Sequence, residues 1–400
     1  MTGPLKGIRV LEFASFHAAP GGGTILADLG AEVIKIEPRG GDPQRKWRRS
    51  GAFTLQTPDG ENYIFQISNR GKLGIALDIE NTKGRKVLTH LIEKSDVFLT
   101  NLRDSTLTKQ GLQYKDLSKN NPRIVYARIS GYGPEGEESD LGAYDFMAQA
   151  KSGFMTLAGD ESPRPVGFAV VDQAASITVT HAIMTALYVR ERTGEGQEIQ
   201  VSLLGSSTWL LYVNLMLANI AKVEMPAWHR PDQNPLRNTF FCKDGEWIMG
   251  TNHPPEKYWE TLCRATGMEH LLDDSRFDTD QNRWAHNSEL VALFDQAFAT
   301  KTQHEWIPLL RSHGLLFAPV QSCTEYLDDP QAHANQYIVD VDHPDFGPSR
   351  IPSLPIRYSK TPVRTSIGTP KLGQHTETVL QDVCGYTPQQ IEQLRQEGVI

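Results

Sequence analysis

The first 130 residues alternate short apolar runs with segments whose apolar positions recur every three to four residues. Apolar runs bounded by turn residues predict strands, and the longer periodic segments predict helices. The predicted strands fall at 9–13, 33–37, 75–79, 97–100 and 124–130, and the helices at 24–30 and 84–94. Strands that alternate with helices are typical of βαβ units on a parallel sheet, so an α/β fold is predicted.

A longer helix is predicted at 172–192, and it ends at Gly194, the residue type that most often follows a helix C-terminus. Its apolar residues spread around most of the helix circumference, which predicts burial on most sides. A strand at 198–203 and a further helix come next. The chain then enters an irregular, proline-bearing stretch at 225–235, which is the candidate linker between two domains.

The residues beyond this linker have the pattern of a smaller α+β domain. Lys243-Asp244-Gly245-Glu246 separates two strand-like runs, and Asp-Gly favours the left-handed turn of a hairpin. The predicted elements are strands at 239–242 and 247–250, helices at 256–266, 288–299 and 303–312, an extended proline-rich segment at 344–370, and helices at 376–383 and 387–397.

The composition is that of a globular protein with room for two domains, since 400 residues are 39% hydrophobic and 22% charged. A formal net charge of −8 argues against a nucleic-acid partner, which usually requires a basic field. No signal-peptide pattern precedes the first strand, and the apolar run 209–221 is too short to span a bilayer. A cytoplasmic protein without a membrane partner is therefore expected. Its four cysteines and twelve histidines are scattered, so no metal is expected.

Asp172 stands at the predicted start of the long helix, directly after two valines. Aspartate is a preferred N-cap residue, so this position alone favours a structural role. A catalytic role also has a physical basis, because the positive end of a helix favours an ionised carboxylate, and such a carboxylate can attack a thioester without a base. Apolar neighbours would protect the resulting intermediate from water.

Other candidate residues lie near the ends of the predicted elements. His17 follows the first strand, at the edge where open α/β sheets bind ligands, whereas Tyr144 and Asp145 precede a predicted helix, where an aspartate is usually a cap. Gly21–Gly23 do not complete a dinucleotide fingerprint, because Leu26 replaces its third glycine. Six basic residues could meet the phosphates of a nucleotide-like substrate, although each is more often a surface charge: Lys35, Arg39, Arg45, Lys72, Arg103 and Lys109.

Eight segments carry a family resemblance: Pro4-Leu5-Lys6-Gly7-Ile8-Arg9-Val10-Leu11-Glu12, Leu29-Gly30-Ala31-Glu32-Val33-Ile34-Lys35-Ile36-Glu37, Gly41-Asp42, Asn121-Pro122-Arg123, Ser130-Gly131-Tyr132-Gly133, Tyr144-Asp145, Arg192-Thr193-Gly194-Glu195-Gly196-Gln197 and Leu372-Gly373-Gln374-His375-Thr376. Together they resemble the class III CoA transferases, the family of formyl-CoA transferase and carnitine CoA-transferase. The likeness runs nearly from end to end of the chain.

The resemblance implies a Rossmann-like large domain at 1–224 and 326–400, a small α+β domain at 225–325, and an interlocked homodimer. It implies a CoA-transferase that moves coenzyme A from an acyl-CoA to a small carboxylic acid, with Asp172 as the nucleophile that becomes an aspartyl-CoA thioester. No tightly bound cofactor is implied, since coenzyme A enters as acyl-CoA substrate. The residues expected to bind coenzyme A are His17, Ala18, Arg39, Leu77, Asn101, Arg103, Lys109, Tyr144 and Asp145.

The chain also departs from the family pattern. Glu80 and Gly142 stand where lysines are often found, and Ser176 replaces a glycine one helical turn after Asp172. Trp47 matches formyl-CoA transferases, but their glycine-run loop is missing from the second domain. A 2-hydroxy or aryl acid is therefore expected as acceptor in place of oxalate.

Two alternatives stay open. An α-methylacyl-CoA racemase of this fold would carry histidine where Tyr144 stands, and a tyrosine with an ordinary pKa of about 10 is a poor base at neutral pH. A non-catalytic CoA-binding protein would also fit, if Asp172 only caps its helix.

Overall fold

The computed structural model describes residues 3–57, 60–158, 162–224 and 226–400. The described chain forms two compact units, the first from residues before 225 together with Gln336–Ile400, and the second from Pro226–Asn335. The predicted domains are parts of the chain that would each fold on their own. Their boundaries at 225 and 325 stay a prediction. Met225, where the predicted linker begins, lies outside the described residues.

The strands, in chain order, are β1 (Arg9–Phe13), β2 (Glu32–Glu37), β3 (Arg49–Ser50), β4 (Phe53–Thr54), β5 (Leu73–Ala76), β6 (Val97–Thr100), β7 (Val125–Ser130), β8 (Glu198–Ser202), β9 (Thr239–Phe241), β10 (Trp247–Gly250), β11 (Phe317–Pro319), β12 (Ile338–His343) and β13 (Gly347–Pro352). The α-helices are α1 (Ala18–Asp28), α2 (Tyr63–Asn69), α3 (Thr82–Glu93), α4 (Asp104–Gln110), α5 (Tyr114–Leu117), α6 (Asp145–Ser152), α7 (Phe154–Ala158), α8 (Val170–Thr193), α9 (Leu203–Leu210), α10 (Tyr212–Ala221), α11 (Pro255–Thr266), α12 (Asp280–Ala285), α13 (Asn287–Phe298), α14 (Gln303–Ser312), α15 (Cys323–Tyr326), α16 (Pro330–Ala334), α17 (Thr376–Asp382) and α18 (Pro388–Gln396).

The first unit is built on a six-stranded parallel sheet in the order β5-β2-β1-β6-β7-β8. The predicted α/β fold is thereby confirmed. Strand order reverses between β1 and β6, and open sheets of this kind bind ligands beyond the carboxyl ends of the strands at such a point.

Alternate residues of each central strand face opposite sides of the sheet. Val10 and Val33 pack into a core with α1 and α8, while Leu11 and Ile34 pack into a second core with α3, α17 and α18. Both faces are thus covered, which explains why the strands are continuous apolar runs. The C-terminal helices complete the second core and so belong to the first unit.

The glycine run belongs to helix α1, whereas the predicted helix began only at residue 24. Glycine is unfavourable inside a helix, but here each position faces a close neighbour. A Cβ on Gly21 would lie 2.5 Å from the Ser176 hydroxyl oxygen, one on Gly22 would lie 2.7 Å from Val179, and one on Gly23 would overlap the Glu12 carboxylate. The three glycines therefore let α1 approach α8 and the buried end of β1.

Helix α8 is buried on one face only, so the prediction of burial on most sides is wrong for the single chain. Ala175, Val179 and Ile183 are fully buried against α1 and the sheet, whereas Ile177 is 56% and Tyr188 is 62% exposed. The exposed face carries Ile177, Tyr188 and Val189 among polar residues, and these apolar side chains are why the sequence pattern indicated wider burial.

The tail differs from the prediction at its start. The predicted extended segment 344–370 begins within an antiparallel hairpin, in which β12 and β13 pair from Ile338↔Pro352 to His343↔Gly347. From 353 the chain has no regular secondary structure until α17. The predicted strand at 75–79 also shifts to Leu73–Ala76, because the Asp78 amide donates to the Val399 carbonyl.

The second unit combines a three-stranded antiparallel sheet, in the order β11-β10-β9, with helices α11–α16. The predicted hairpin is confirmed: Ile248 pairs with Phe240, and Gly245 has the positive φ of 88° that its turn requires. Its largest fully buried side chains are Trp306, Phe240, Phe277, Phe294 and Phe298.

No single helix in the described part of the chain is long and apolar enough to cross a membrane. Helices α9 and α10, which are bent by 67° relative to each other, have the length and apolar composition of a membrane span only when taken together. The cytoplasmic location stays a prediction.

Candidate active site

Two cavities within the first unit meet at Asp172. The polar chamber, of about 490 Å³, lies beyond the carboxyl ends of β1, β6 and β7 and is lined among others by Asn101, Arg103, Arg128 and Ser130. The apolar chamber, of about 640 Å³, is lined among others by Trp47, Ile64, Phe146 and Phe168. Four residues line both chambers: Phe16, His17, Tyr144 and Asp172. The site therefore joins a hydrophilic and a hydrophobic space at one carboxylate.

Asp172 is not the N-cap of its helix, so the structural role considered for it is wrong. Helix α8 begins at Val170, its N-cap is Ala169, and Asp172 is its third residue. The cap comes from Asp145, whose Oδ2 accepts the backbone N–H groups of Val171 at 2.6 Å and Asp172 at 3.0 Å. The Asp172 carboxylate has no hydrogen-bond partner among the described residues, since the bonds of Asp172 are made by its backbone N–H and carbonyl, so it is free to react.

The environment of Asp172 makes its carboxyl group a weaker acid than that of an ordinary aspartate. Burial raises the pKa of Asp172 to about 7, and the negative charge of Asp145 adds to the effect. Desolvation and the second carboxylate thus outweigh the ionised form that the helix N-terminus was expected to favour. Near neutral pH, the protonated and the ionised forms of Asp172 are therefore both populated.

His17 is held between two side chains beside Asp172. Its Nδ1 lies 2.7 Å from the Ser68 Oγ, and its Nε2 lies 3.0 Å from Oε1 of Gln173. Burial lowers the pKa of His17, and the positive charge of Lys72 lowers it further against the bond to Gln173. A neutral ring bonded in this way carries its proton on Nε2, because the Gln173 oxygen can only accept, while Nδ1 accepts from the Ser68 hydroxyl.

Buried charged side chains hold the loop that carries His17 in place. Lys72 Nζ donates to Glu12 Oε2 at 2.7 Å, to Pro20 O at 2.8 Å and to Ser68 O at 2.9 Å. Lys35 Nζ donates to Ala14 O at 2.8 Å. Burial lowers the pKa of Lys72 to about 8, which Glu12 opposes. These ions hold the backbone on both sides of His17.

Three of the cations considered as phosphate ligands are paired with carboxylates inside the protein. Lys35 and Lys72 are fully buried beside Glu12, and Arg45 makes two hydrogen bonds, of 2.7 and 2.8 Å, to Glu37. The phosphate-binding role considered for them is wrong. Buried charges are retained only when paired, and here the pairing leaves none for a ligand.

The residues expected to bind coenzyme A fall into two groups. His17, Ala18, Asn101, Arg103 and Tyr144 line the polar chamber, and Asp145 lines the apolar chamber. The Asn101 amide is occupied, since it accepts from the Ser15 N–H at 3.0 Å and donates to the Ser15 carbonyl at 2.7 Å. Arg103 packs over Gly142, where a Cβ would lie 2.6 Å from its guanidinium.

The other three expected residues line neither chamber. Leu77 is buried in the core on the far face of the sheet, Arg39 donates to the Gly398 carbonyl at 2.8 Å, and Lys109 is exposed on α4. The structure does not bring them together with Asp172.

Phe16 is a site residue that the sequence did not indicate. Its φ is 63°, in the left-handed region that a bulky residue rarely adopts. The ring packs edge-on against Tyr144, at 5.4 Å between centroids, and Trp47, at 6.4 Å. Phe16 lines both cavities, so its ring borders the place where the polar and the apolar chamber meet. Local sequence gives no signal for a strained phenylalanine, as the strain is imposed by tertiary packing.

Comparisons with known proteins give matches that span nearly the whole chain. A family model described as CoA-transferase family III matches residues 5–376. The chain is 30% identical to (R)-2-hydroxy-4-methylpentanoate CoA-transferase of Clostridioides difficile over 99% of both chains. It is 33% identical to succinyl-CoA:glutarate CoA-transferase of Mus musculus, over 99% of this chain and 90% of that one. A crystal structure of a CAIB/BAIF family protein from Brucella suis matches with a TM-score of 0.85 and 29% identity, over 96% of this chain and 100% of that one.

Proposed function

We propose that this chain, which belongs to CoA-transferase family III, transfers coenzyme A through a covalent thioester on Asp172. As a member of that family it is a CoA-transferase, and its substrates are an acyl-CoA and a carboxylic acid. One observation carries the proposal: a carboxylate without a partner among the described residues lies where a polar and an apolar chamber meet.

The first half-reaction has two steps. An ionised oxygen of Asp172 attacks the thioester carbonyl of the donor, and the carbon–sulfur bond breaks. Coenzyme A departs as its thiolate, and the donor acyl group is now joined to Asp172 in a mixed anhydride. The thiolate then attacks the Asp172 carbonyl carbon. The anhydride bond breaks, the donor acid leaves as its carboxylate, and Asp172 holds coenzyme A as a thioester.

The second half-reaction reverses this order with a new acid. The acceptor carboxylate attacks the aspartyl thioester and releases the thiolate, which then attacks the acceptor carbonyl. The products are the new acyl-CoA and a regenerated Asp172 carboxylate. Asp145 holds the backbone of Asp172 throughout, since it accepts the N–H groups at the start of α8. His17 can donate from Nε2 toward developing negative charge if Gln173 releases it.

We assign coenzyme A to the polar chamber and the acyl group to the apolar chamber. Arg103 lines the polar chamber with an exposed side chain and suits a ligand with phosphates and amides, whereas Arg128 is buried and paired with Asp104. The apolar chamber is lined by the rings of Phe16, Trp47 and Phe146, which suit a hydrocarbon or aryl group.

A monocarboxylic 2-hydroxy or aryl acid is the proposed acceptor. Lys46 is the one cation lining the apolar chamber in the part of the chain that the structure describes, and it is exposed. A second carboxylate, as in glutarate, would find no buried positive partner there. The relative named for (R)-2-hydroxy-4-methylpentanoate supports this choice, and the one named for glutarate is its alternative. A panel of acceptors, with products identified by mass, tests it, and turnover confined to oxalate or glutarate would contradict it.

Chemical trapping tests the covalent step. With acyl-CoA present and no acceptor, hydroxylamine should convert the Asp172 side chain to a hydroxamate, and borohydride should reduce its thioester. Peptide mass spectrometry should place both changes on the peptide that contains Asp172. Asp172→Asn should abolish them, while the exposed control Glu80→Gln should show both. Modification at Asp145 alone, or α-proton exchange without transfer, would refute the proposal, and the latter result would favour a racemase.

We also propose that two copies form the interlocked homodimer that the family resemblance implies. Helices α9 and α10 expose a continuous apolar surface, in which Trp209 is 73% and Ile220 is 70% exposed. Monomers rarely leave such a patch in water, and a second copy would cover it together with the exposed face of α8. Sedimentation should give a dimer that persists on dilution, and a concentration-dependent monomer would contradict the interlocking.

A further inference from the structure

Apart from the nucleophile Asp172, the described wall of the apolar chamber contains one buried polar side chain without a hydrogen-bond partner. Gln44 lines the chamber and is 1% exposed. Its Oε1 is buried and accepts no hydrogen bond, and its side-chain amide makes none with any described residue. Buried amides are nearly always hydrogen-bonded, because leaving one unpaired destabilises the fold. This exception lies in a cavity where a ligand could supply the missing bond.

The other buried polar residue of the same wall is already committed. Asp145 accepts from Gln149 with Oδ1 at 2.6 Å, and Oδ2 accepts the two amides at the start of α8. The ring nitrogens of His17 are also both bonded. Beside the nucleophile Asp172, Gln44 is therefore the buried polar group of the described chamber wall that stays available to a substrate.

The backbone of Gln44 is held in place. It lies in the 3-10 turn Pro43–Lys46, where its N–H donates to the Asp42 Oδ1 at 2.9 Å and its carbonyl accepts from Trp47 at 3.1 Å. The next residue, Arg45, is fixed by Glu37. Only the side-chain torsions stay free, and the last torsion of glutamine is soft, so either the oxygen or the NH₂ can face the chamber.

We propose that the Gln44 amide hydrogen-bonds the 2-hydroxyl group of the acyl substrate, which makes Gln44 a specificity-determining residue. The inference rests on the proposed function, in which the apolar chamber holds the acyl group. A hydroxyl both donates and accepts, so it can pair with either end of the amide. A substrate without the hydroxyl leaves the amide unpaired, and sites of this kind discriminate strongly against such an analogue.

Single-turnover release of the free acid tests this, because that step needs no acceptor. The donors are phenyllactyl-CoA and its deoxy counterpart, 3-phenylpropanoyl-CoA. The wild type should prefer the hydroxy donor by roughly ten- to hundredfold in rate at subsaturating donor. Gln44→Met keeps the volume and removes the amide, and it should lose roughly tenfold with the hydroxy donor while the deoxy donor changes less than about twofold.

Gln66→Met is the matched control. Gln66 is also buried with an unpartnered Oε1, but it lines neither chamber. Both variants should melt at a higher temperature than the wild type, because each removes an unpaired buried amide, and only Gln44→Met should change the donor preference. If Gln44→Met does not fold, Gln44→Leu serves in the same assay.

The outcomes separate this assignment from the proposed function. Trapping of coenzyme A on Asp172 with an unchanged donor preference in both Gln44 variants would overturn the role of Gln44 alone. An equal change in Gln66→Met would overturn it as well. If the wild type forms no adduct on Asp172 with either donor, the proposed mechanism itself falls.

Discussion

Replacing Asp172 by asparagine should abolish transfer and yet make the folded protein more stable at alkaline pH. Burial and Asp145 raise the pKa of Asp172 from 3.8 to about 7. Each tenfold change in proton affinity is worth about 1.4 kcal/mol, so ionised Asp172 costs the fold on the order of 4 kcal/mol at most. Because the carboxylate borders two open chambers, solvent screens part of this, and we expect about 2 kcal/mol.

The pH dependence has a definite sign. The native state binds the Asp172 proton more tightly than the unfolded chain, whose aspartates titrate near pH 4. Wild-type stability attributable to this group therefore falls as pH rises from about 4 to about 7 and is constant above that. An asparagine side chain cannot ionise, so the Asp172→Asn variant lacks this loss. Its advantage over the wild type should widen between pH 5 and pH 8.

Thermal and urea unfolding of both proteins across this pH range measure the difference. Glu80→Gln, which removes an exposed carboxylate far from the chambers, should show no such widening. A variant that is less stable than the wild type at pH 8, or a gap that is the same at pH 5 and pH 8, would refute the account of Asp172 as a destabilised nucleophile.

Three further predictions concern the same site. The rate of the first half-reaction, measured by rapid quench at pH 5–9, should rise with pH and level off above about 7. Asp145→Asn should shift the midpoint of this pH profile to lower pH, because it removes a charge that raises the pKa of Asp172. An unmoved midpoint would contradict this. Phe16→Gly should weaken the preference for aryl over short acyl donors by roughly tenfold without preventing trapping on Asp172, and an unchanged preference would exclude this role of Phe16 where the chambers meet. Gly23→Ala should lower the free energy of unfolding by about 3 kcal/mol in urea, because its Cβ would meet the Glu12 carboxylate, whereas Gly40→Ala, with its nearest neighbour at 3.7 Å, should change it little.

The parallel sheet could be predicted because its signal is local. A strand covered on both faces must be a continuous apolar run, and the segments at 9–13 and 97–100 coincide with the observed β1 and β6. The location of the site follows from the same pattern, since ligands bind beyond the carboxyl ends of such strands. His17 was singled out on that ground, and Tyr144 and Asp172 by their places at predicted helix starts and by the family resemblance. The structure brings all three to both chambers.

The tertiary structure alone decided how each residue is used. Glycines 21–23 lie in a helix because Ser176, Val179 and Glu12 approach them from distant parts of the chain. The cap of α8 comes from Asp145, 27 residues before Asp172. Lys35 and Lys72 bind Glu12 and are lost to any ligand. Sequence by itself determined which segments are apolar and what chemistry each side chain could perform. Burial, charge pairing and close approach join residues with no fixed spacing, so no local pattern encodes them.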